Sequence, residues 1–455
     1  MPGELYGRMA GGALLTRSRR LPRRATLGAF AGAALALCAS CTRASARPGE
    51  GELRVWAFGA EGEALAPIAR EFERANPGTH VRVQTIPWTA AHEKLLTAYV
   101  GGALPDVAQL GNTWIPEFAA LNALEPLDAL AARDSALVPL ADYFPGVLAT
   151  NVVDSILYGM PWYVDTRVIF YRTDLLRAAG VTSMPTTWAA FRDALVRMRK
   201  VQPTGGYPAL LPLNEWSQPV IFGMQAGSQL LAEHGTRGAF EDSTFRKGFA
   251  FYVGLFRDSL APSLASTQVA NIFQEFAAGR VGMYITGPWN VGEFKRRLPA
   301  NLQGSWMTAP LPGPDSAGAS LAGGSSIVIM RKSAMKPLAW RFVTFLSDPA
   351  RQARFYSKTG DLPSRRSAWS TPALANDPYF AAFRTQLGRV MPTPAVPESE
   401  LIVQLVAQAA ERAARGRQTV DEALASLDKE VDAVLEKRRW MMAQKSLAAS
   451  TSARP

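Results

Sequence analysis

Three histidines, His80, His92 and His234, are the only imidazoles in the 455 residues, and none sits in a metal-ligand spacing such as HExxH. Each reads as a surface or capping residue. No Walker phosphate loop and no Gly-x-Ser-x-Gly elbow with a following acid and histidine is present. The glycine-rich piece Ala322-Gly323-Gly324-Ser325-Ser326 lacks the lysine that phosphate cradling needs, so it reads as a turn or hinge. Paired carboxylates of the glycosidase kind meet in space rather than in sequence spacing, and nothing singles out one pair. What the chain does hold is eleven tryptophans, several of them beside turn residues.

An aromatic face suits a sugar, because the C–H faces of a pyranose lie on a π-surface while its hydroxyls reach polar side chains. Trp88 follows Pro87, Asn112 to Trp114 follow a strand, and Trp162-Tyr163 follow Pro161. Trp216 stands beside Asn214 and Glu215, and Trp289 follows Gly287-Pro288. A single tryptophan is more often part of a core. Trp56, Trp188 and Trp340 fall on strand or helix periods and read that way.

These residues need a scaffold, and the pattern that surrounds them alternates short apolar strands with amphipathic helices. That predicts an α/β architecture with sheets covered on both faces. Leu53 to Phe58 alternates as a strand, and the following helix places Leu65, Ile68, Ala69 and Phe72 on one face. A second strand runs Val81 to Ile86 and a third Asp106 to Leu110. Further helices are expected at Trp188 to Met198, Thr244 to Arg257, Val269 to Ala278 and Pro337 to Leu346, with another apolar face through Val420, Leu424, Leu427, Val431 and Val434.

The amino terminus reads differently. Arg17, Arg19, Arg20, Arg23 and Arg24 precede an uncharged apolar run from Ala25 to Ala39, the layout of a secretory signal over 1–40. Both cysteines of the chain, Cys38 and Cys41, end that segment, so no disulfide framework is available to the rest. Leu37-Cys38-Ala39-Ser40-Cys41 resembles a bacterial lipobox, which makes Cys41 the expected lipidated residue. Ordinary signal cleavage is the alternative. Residues 41–51 read as a tether to the membrane and 441–455 as a disordered tail. Residues 1–40 carry six arginines and one glutamate, so the net charge of +11 falls to +6 without them. No basic block follows Cys41, and nucleic-acid binding gains no support.

The order of the motifs is similar to that of maltose-binding-protein-like carbohydrate receptors of ABC importers, over nearly all of the chain after Cys41. Leu104-Pro105-Asp106-Val107 with Leu121 to Leu127 looks like the family's first lobe. Tyr158 to Pro161, Asp165, Phe170 to Leu176 and Pro185 to Trp188 resemble its crossover into the second. Phe276 to Met283, Gly287-Pro288-Trp289 and Gly416 to Leu424 follow in family order.

The resemblance implies a two-lobed periplasmic-binding-protein fold with a hinge and an interlobe ligand cleft. The expected lobes are 52–162 plus 326–363 and 163–325 plus 364–440. It implies a carbohydrate ligand, permease subunits as partners, a monomer, no cofactor or metal, and no catalysis. Asp165 falls where the family places a carboxylate that accepts sugar hydroxyls, Trp289 where it places a stacking ring, and Trp216 at a third cleft position. Phe58 and Glu61 after the first strand, and Asn112 and Trp114 after the third, join Trp88, Trp162, Tyr163, Gly323 and Gly324 as expected cleft residues. Arg365 has two roles open to it, a bidentate donor in the cleft or a loop charge. Val403 stands where maltose-binding protein has an aromatic on its sugar, so the resemblance does not specify maltose. A receptor for another polar solute, such as a glycerol phosphodiester, a polyamine or a metal complex, and a glycan-acting hydrolase or lyase, are the rival readings.

Overall fold

The computed structural model describes residues 51–452. The expectations for residues 1–50, namely the leader, Cys41 and most of the tether, lie outside the described residues. Two main sheets carry the chain. The first has six strands in the order Leu362–Pro363, Gly159–Asp165, Gly323–Ile329, Val107–Gly111, Gly51–Phe58, Thr79–Ile86. Its last three strands are parallel, and Gly323–Ile329 runs antiparallel to both of its neighbours. The second sheet orders Trp306–Ala309, Val168–Arg172, Val281–Thr286, Tyr207–Leu210, the last pair being parallel.

Parallel strands need crossover helices, and these cover the faces. Helix Gly59–Ala75 buries Leu65, Ile68, Ala69 and Phe72, the face its 3.6-residue period predicts. Phe72 meets Phe342 edge-on at 5.1 Å, which ties that helix to helix Lys336–Leu346 in the first lobe. In the second lobe, helix Ser399–Ala414 packs with helix Val420–Val434, which starts at a reciprocal cap between Thr419 and Glu422. Val403 is buried in that core.

The strands predicted from alternation appear as Gly51–Phe58, Thr79–Ile86 and Val107–Gly111. The helices appear as Trp188–Arg199, Ser243–Arg257 and Lys336–Leu346. The helix expected over Val269 to Ala278 is shorter, Ile272–Ala277, because Asn271 caps it by accepting from the Phe273 and Gln274 N–H groups. At the carboxyl end a helix runs Glu436–Ser452, where the sequence suggested a structureless tail from 441. The lobe limits also shift. Strand Gly159–Asp165 stays in the first sheet beyond 162, and Gly323–Ile329 joins it before 326. Ladder pairing continues to the last residue that finds a partner, and hydropathy does not mark that point.

The chain passes between lobes where these two strands end. Gly323 pairs Asp165 and Gly324 pairs Val164, with a register shift at Ser325/Ser326. Gly324 has φ of +126°, and a Cβ there would lie 2.3 Å from the Tyr163 carbonyl oxygen. Only glycine fits that conformation and approach. Two residues further, the Ser320 hydroxyl accepts from the Arg167 N–H at 3.1 Å and donates to the Arg167 carbonyl at 3.0 Å, pinning the two connections together. Among the described residues no helix is long and apolar enough to cross a membrane.

Candidate functional site

A cavity of about 780 Å³ opens between the lobes, lined from both sheets. The carboxyl ends of strands deliver its walls, as open α/β sheets require. Strand Gly51–Phe58 leads to Glu61, Thr79–Ile86 to Trp88, Val107–Gly111 to Asn112 and Trp114, and Gly159–Asp165 supplies Tyr163 and Asp165. From the second lobe, Tyr207–Leu210 leads to Trp216 and Val281–Thr286 to Trp289. Gly323 and Gly324 close the back.

The first-lobe wall is a packed aromatic block. Trp88 meets Phe58 edge-on at 5.1 Å, Trp114 stands 5.7 Å from both, and His92 lies 5.0 Å from Trp114. Phe58 is fully buried behind the two tryptophans. It therefore supports the wall instead of lining it. The His92 imidazole is 2.6 Å from a Glu117 carboxylate oxygen, and this hydrogen bond raises its pKa against the opposing effect of burial, with the charges of Glu117 and Glu400 adding to the rise.

A hydrogen-bonded chain fixes the polar floor. The Phe58 N–H donates to Gln109 Oε1 at 2.8 Å, and Gln109 Nε2 donates to the Tyr163 hydroxyl at 3.2 Å and to Ser325 Oγ at 3.1 Å. The Tyr163 hydroxyl donates to Glu61 at 2.8 Å, and the Trp88 indole N–H reaches the same carboxylate at 3.2 Å. Burial, with Asp361 and Glu61 close by, pushes the Tyr163 hydroxyl well above its ordinary range, so it stays a donor. A buried polar group with its partners in place holds one orientation.

The second-lobe wall is built on charge. Arg167 Nη1 donates to Asp165 at 3.0 Å, Nη2 lies 3.8 Å from Glu215, and its guanidinium sits 4.9 Å from the Trp289 ring. Trp289 itself is 37% exposed. A Cβ on Gly287 would fall 2.1 Å from its ring, so glycine at 287 lets the indole fold back over the turn. Across the opening, the Thr113 hydroxyl donates to Glu400 at 2.7 Å and Gln404 donates to the same carboxylate at 3.2 Å, a polar contact from one lobe to the other.

Of the residues expected from sequence, Glu61, Trp88, Asn112, Trp114, Tyr163, Asp165, Trp216, Trp289, Gly323 and Gly324 all line this cavity. Besides Phe58, two more lie elsewhere. Trp162 is 3% exposed and packs on Phe355 at 4.4 Å in the first-lobe core, on the strand next to Tyr163. Arg365 is buried with Asp142 at 2.6 Å and donates to the Leu137 and Ser347 carbonyls, so it is a strut of the first lobe and not a cleft donor. The sequence reading missed Thr113, Arg167, Asp361, Glu400 and Gln404 in the wall, and left Glu215 unassigned. Glu400 and Gln404 had a weak signal, two polar residues four apart on one face of an amphipathic helix.

A family model described as bacterial extracellular solute-binding protein matches residues 59–353. The chain belongs to that family. The solute-binding protein is 50% identical to the sugar-binding protein MalE from Xanthomonas citri, whose solved structure superposes with a TM-score of 0.83 over 87% of this chain and 100% of that one. Among curated relatives it is 27% identical over 434 residues to a putative binding protein of Brucella abortus, covering 92% of this chain and 100% of the relative. It is 24% identical over 409 residues to the galactooligosaccharide-binding protein of Bacillus subtilis, covering 86% and 91%. The family is one of binding proteins, and its two-lobed fold is the one described above.

Proposed function

We propose that this solute-binding protein captures a carbohydrate in the interlobe cleft and yields it unchanged to the permease subunits of an ABC importer. The observation that carries the reading is the convergence of Trp88, Trp114, Trp216 and Trp289 with carboxylates on one cavity shared by both lobes. Rings offer stacking faces and carboxylates accept hydroxyl protons. A volume of about 780 Å³ falls within the range of small-molecule sites. The likeness to MalE of Xanthomonas citri and to the Bacillus subtilis oligosaccharide receptor supports the same ligand class.

Capture works by population shift. A solute touching Trp88 on one wall and Trp289 on the other favours the closed form, because the open form cannot make both contacts together. Release needs no bond to break, so no residue is assigned a catalytic role. A phosphate-bearing solute would call for converging cations, whereas among the described residues Arg167 is the one cation of the lining and is already engaged by two carboxylates. Glu61, Asp165, Glu215 and Glu400 also favour a second reading, a polyamine.

A thermal-shift screen with neutral glycans, amine-bearing glycans, glycerol phosphodiesters and spermidine separates these. A glycan at about 100 times its Kd should add roughly 2.7 kcal/mol. Stabilisation by spermidine alone would sink the carbohydrate reading. Export and anchoring through lipidated Cys41 complete the proposal and rest on the basic leader and the lipobox-like stretch, and action as a monomer rests on the family resemblance. Mass spectrometry of the mature amino-terminal peptide tests the anchor, with an unmodified Cys41 counting against it. Light scattering tests the monomer.

A further inference from the structure

Asp361 belongs to the cavity lining yet is only 7% exposed. Helix Pro349–Thr359 ends at Gly360, and the chain turns there to deliver Asp361 just ahead of the edge strand Leu362–Pro363. Polar groups of the same lining come from three elements. Glu61 is on helix Gly59–Ala75, Tyr163 and Asp165 are on strand Gly159–Asp165, and Thr359, whose hydroxyl accepts from the Asp361 N–H at 3.1 Å, ends helix Pro349–Thr359. Two of these are carboxylates. The nearby cation, Arg167, is occupied by Asp165 and Glu215, and the Tyr163 proton goes to Glu61. A third negative charge at this spot would be both desolvated and repelled.

We infer that Asp361 serves the cleft as a neutral carboxyl group that donates a hydrogen bond to an acceptor oxygen of the bound solute, while Glu61 and Asp165 accept from its hydroxyls. The inference rests on the carbohydrate reading for its partner, since ring and glycosidic oxygens are acceptors with no proton to give. It assigns a specificity. A neutral donor in a lining that also holds acceptors matches a sugar face that presents both hydroxyl and ether oxygens, and it adds no charge for an ammonium to pair with. Burial, followed by the charge of Glu61 and then of Asp165, holds the Asp361 carboxyl well above the usual carboxylate range against the lowering effect of a Thr359 hydrogen bond, which agrees with the geometry.

The experiment uses the mature protein, wild type and with Asp361→Asn or Asp361→Leu, titrated calorimetrically with maltose, trehalose and lactose from mildly acid to alkaline pH. Asparagine keeps a donor and leucine does not. Asn should stay within about threefold of wild type, Leu should lose about tenfold or more, and wild type alone should weaken as pH rises. If Asn falls as far as Leu, or wild type tightens with rising pH, Asp361 acts as a carboxylate and the inference is overturned.

A ligand-free arm keeps the two readings apart. A folded-state acid whose pKa is raised holds its proton more tightly than the unfolded chain does. Stability is therefore lost as pH climbs from about 4, the unfolded range, towards the folded value. Melting curves of wild type should fall below those of Asp361→Asn across that window, and parallel curves would overturn the neutral carboxyl. If the curves diverge but no disaccharide binds wild type, the carbohydrate reading fails while the protonation stands.

Discussion

The two walls of the cleft reach the same solute by different physics. The first-lobe wall is Trp88 and Trp114 packed on each other and on the buried Phe58, with His92 behind, and its shape comes from close-packed rings. The second-lobe wall is Trp289 lying half free against Arg167, which is itself strung between Asp165 and Glu215. The rings of the first wall are held by contact on several sides, whereas the second is held by the ion pairs of one guanidinium beside a partly exposed ring. One wall is therefore set by ring packing, and the other by charge.

The largest test of that contrast is Trp114→Ala. Trp114 is 8% exposed inside the ring block, so its removal should cost about 3–5 kcal/mol of unfolding free energy in urea titrations and weaken binding with it. A loss below about 1 kcal/mol would mean the block is not packed. Arg167→Ala should come next, at about 1–2 kcal/mol, because it strands the Asp165 carboxylate, whose side chain is 22% exposed, while the more exposed Glu215 is rehydrated. Its sign should soften in the double variant with Asp165→Asn, and an undiminished loss there would assign the cost to packing on Trp289.

Trp289→Ala is the sharpest of the set. With 37% of the residue exposed, unfolding should change by less than about 1 kcal/mol while affinity for a bound sugar drops about tenfold. An equal fall in melting temperature with and without sugar would place Trp289 in the core. The smallest effect concerns pH. The Glu117 hydrogen bond raises the His92 pKa, so its contribution is complete below the ordinary value of about 6.5 and is lost as pH rises through the folded value. Urea midpoints should decline slightly over that window, and His92→Gln should remove the decline.

The fold was largely readable, because its signals are local and periodic. Leu53 to Phe58 and the face through Leu65, Ile68, Ala69 and Phe72 follow from spacing alone, and both appear where expected. The aromatic half of the site was readable for a related reason: Trp88, Trp114, Trp216 and Trp289 each follow a strand and a turn. The charged half was not. Arg167 and Asp361 look like any loop charges until the sheet brings Asp165, Glu215 and Glu61 around them, and Glu400 arrives from more than two hundred residues away in sequence. Arg365 and Trp162 misled for the converse reason. Each neighbours a cleft strand, but burial against Asp142 and Phe355 decided their direction, and pairing of that kind has no sequence period.

The Ser320 hydroxyl, bonded to both the N–H and the carbonyl of Arg167, has one more effect. It makes these two of the connecting segments behave as a leaf spring, pliant across its thickness and stiff to twisting or sliding. The expected travel of one lobe against the other is a single arc. Spin-label distances across the mouth of Ser320→Ala should scatter more widely than in wild type, and an unchanged spread would count against this stiffness.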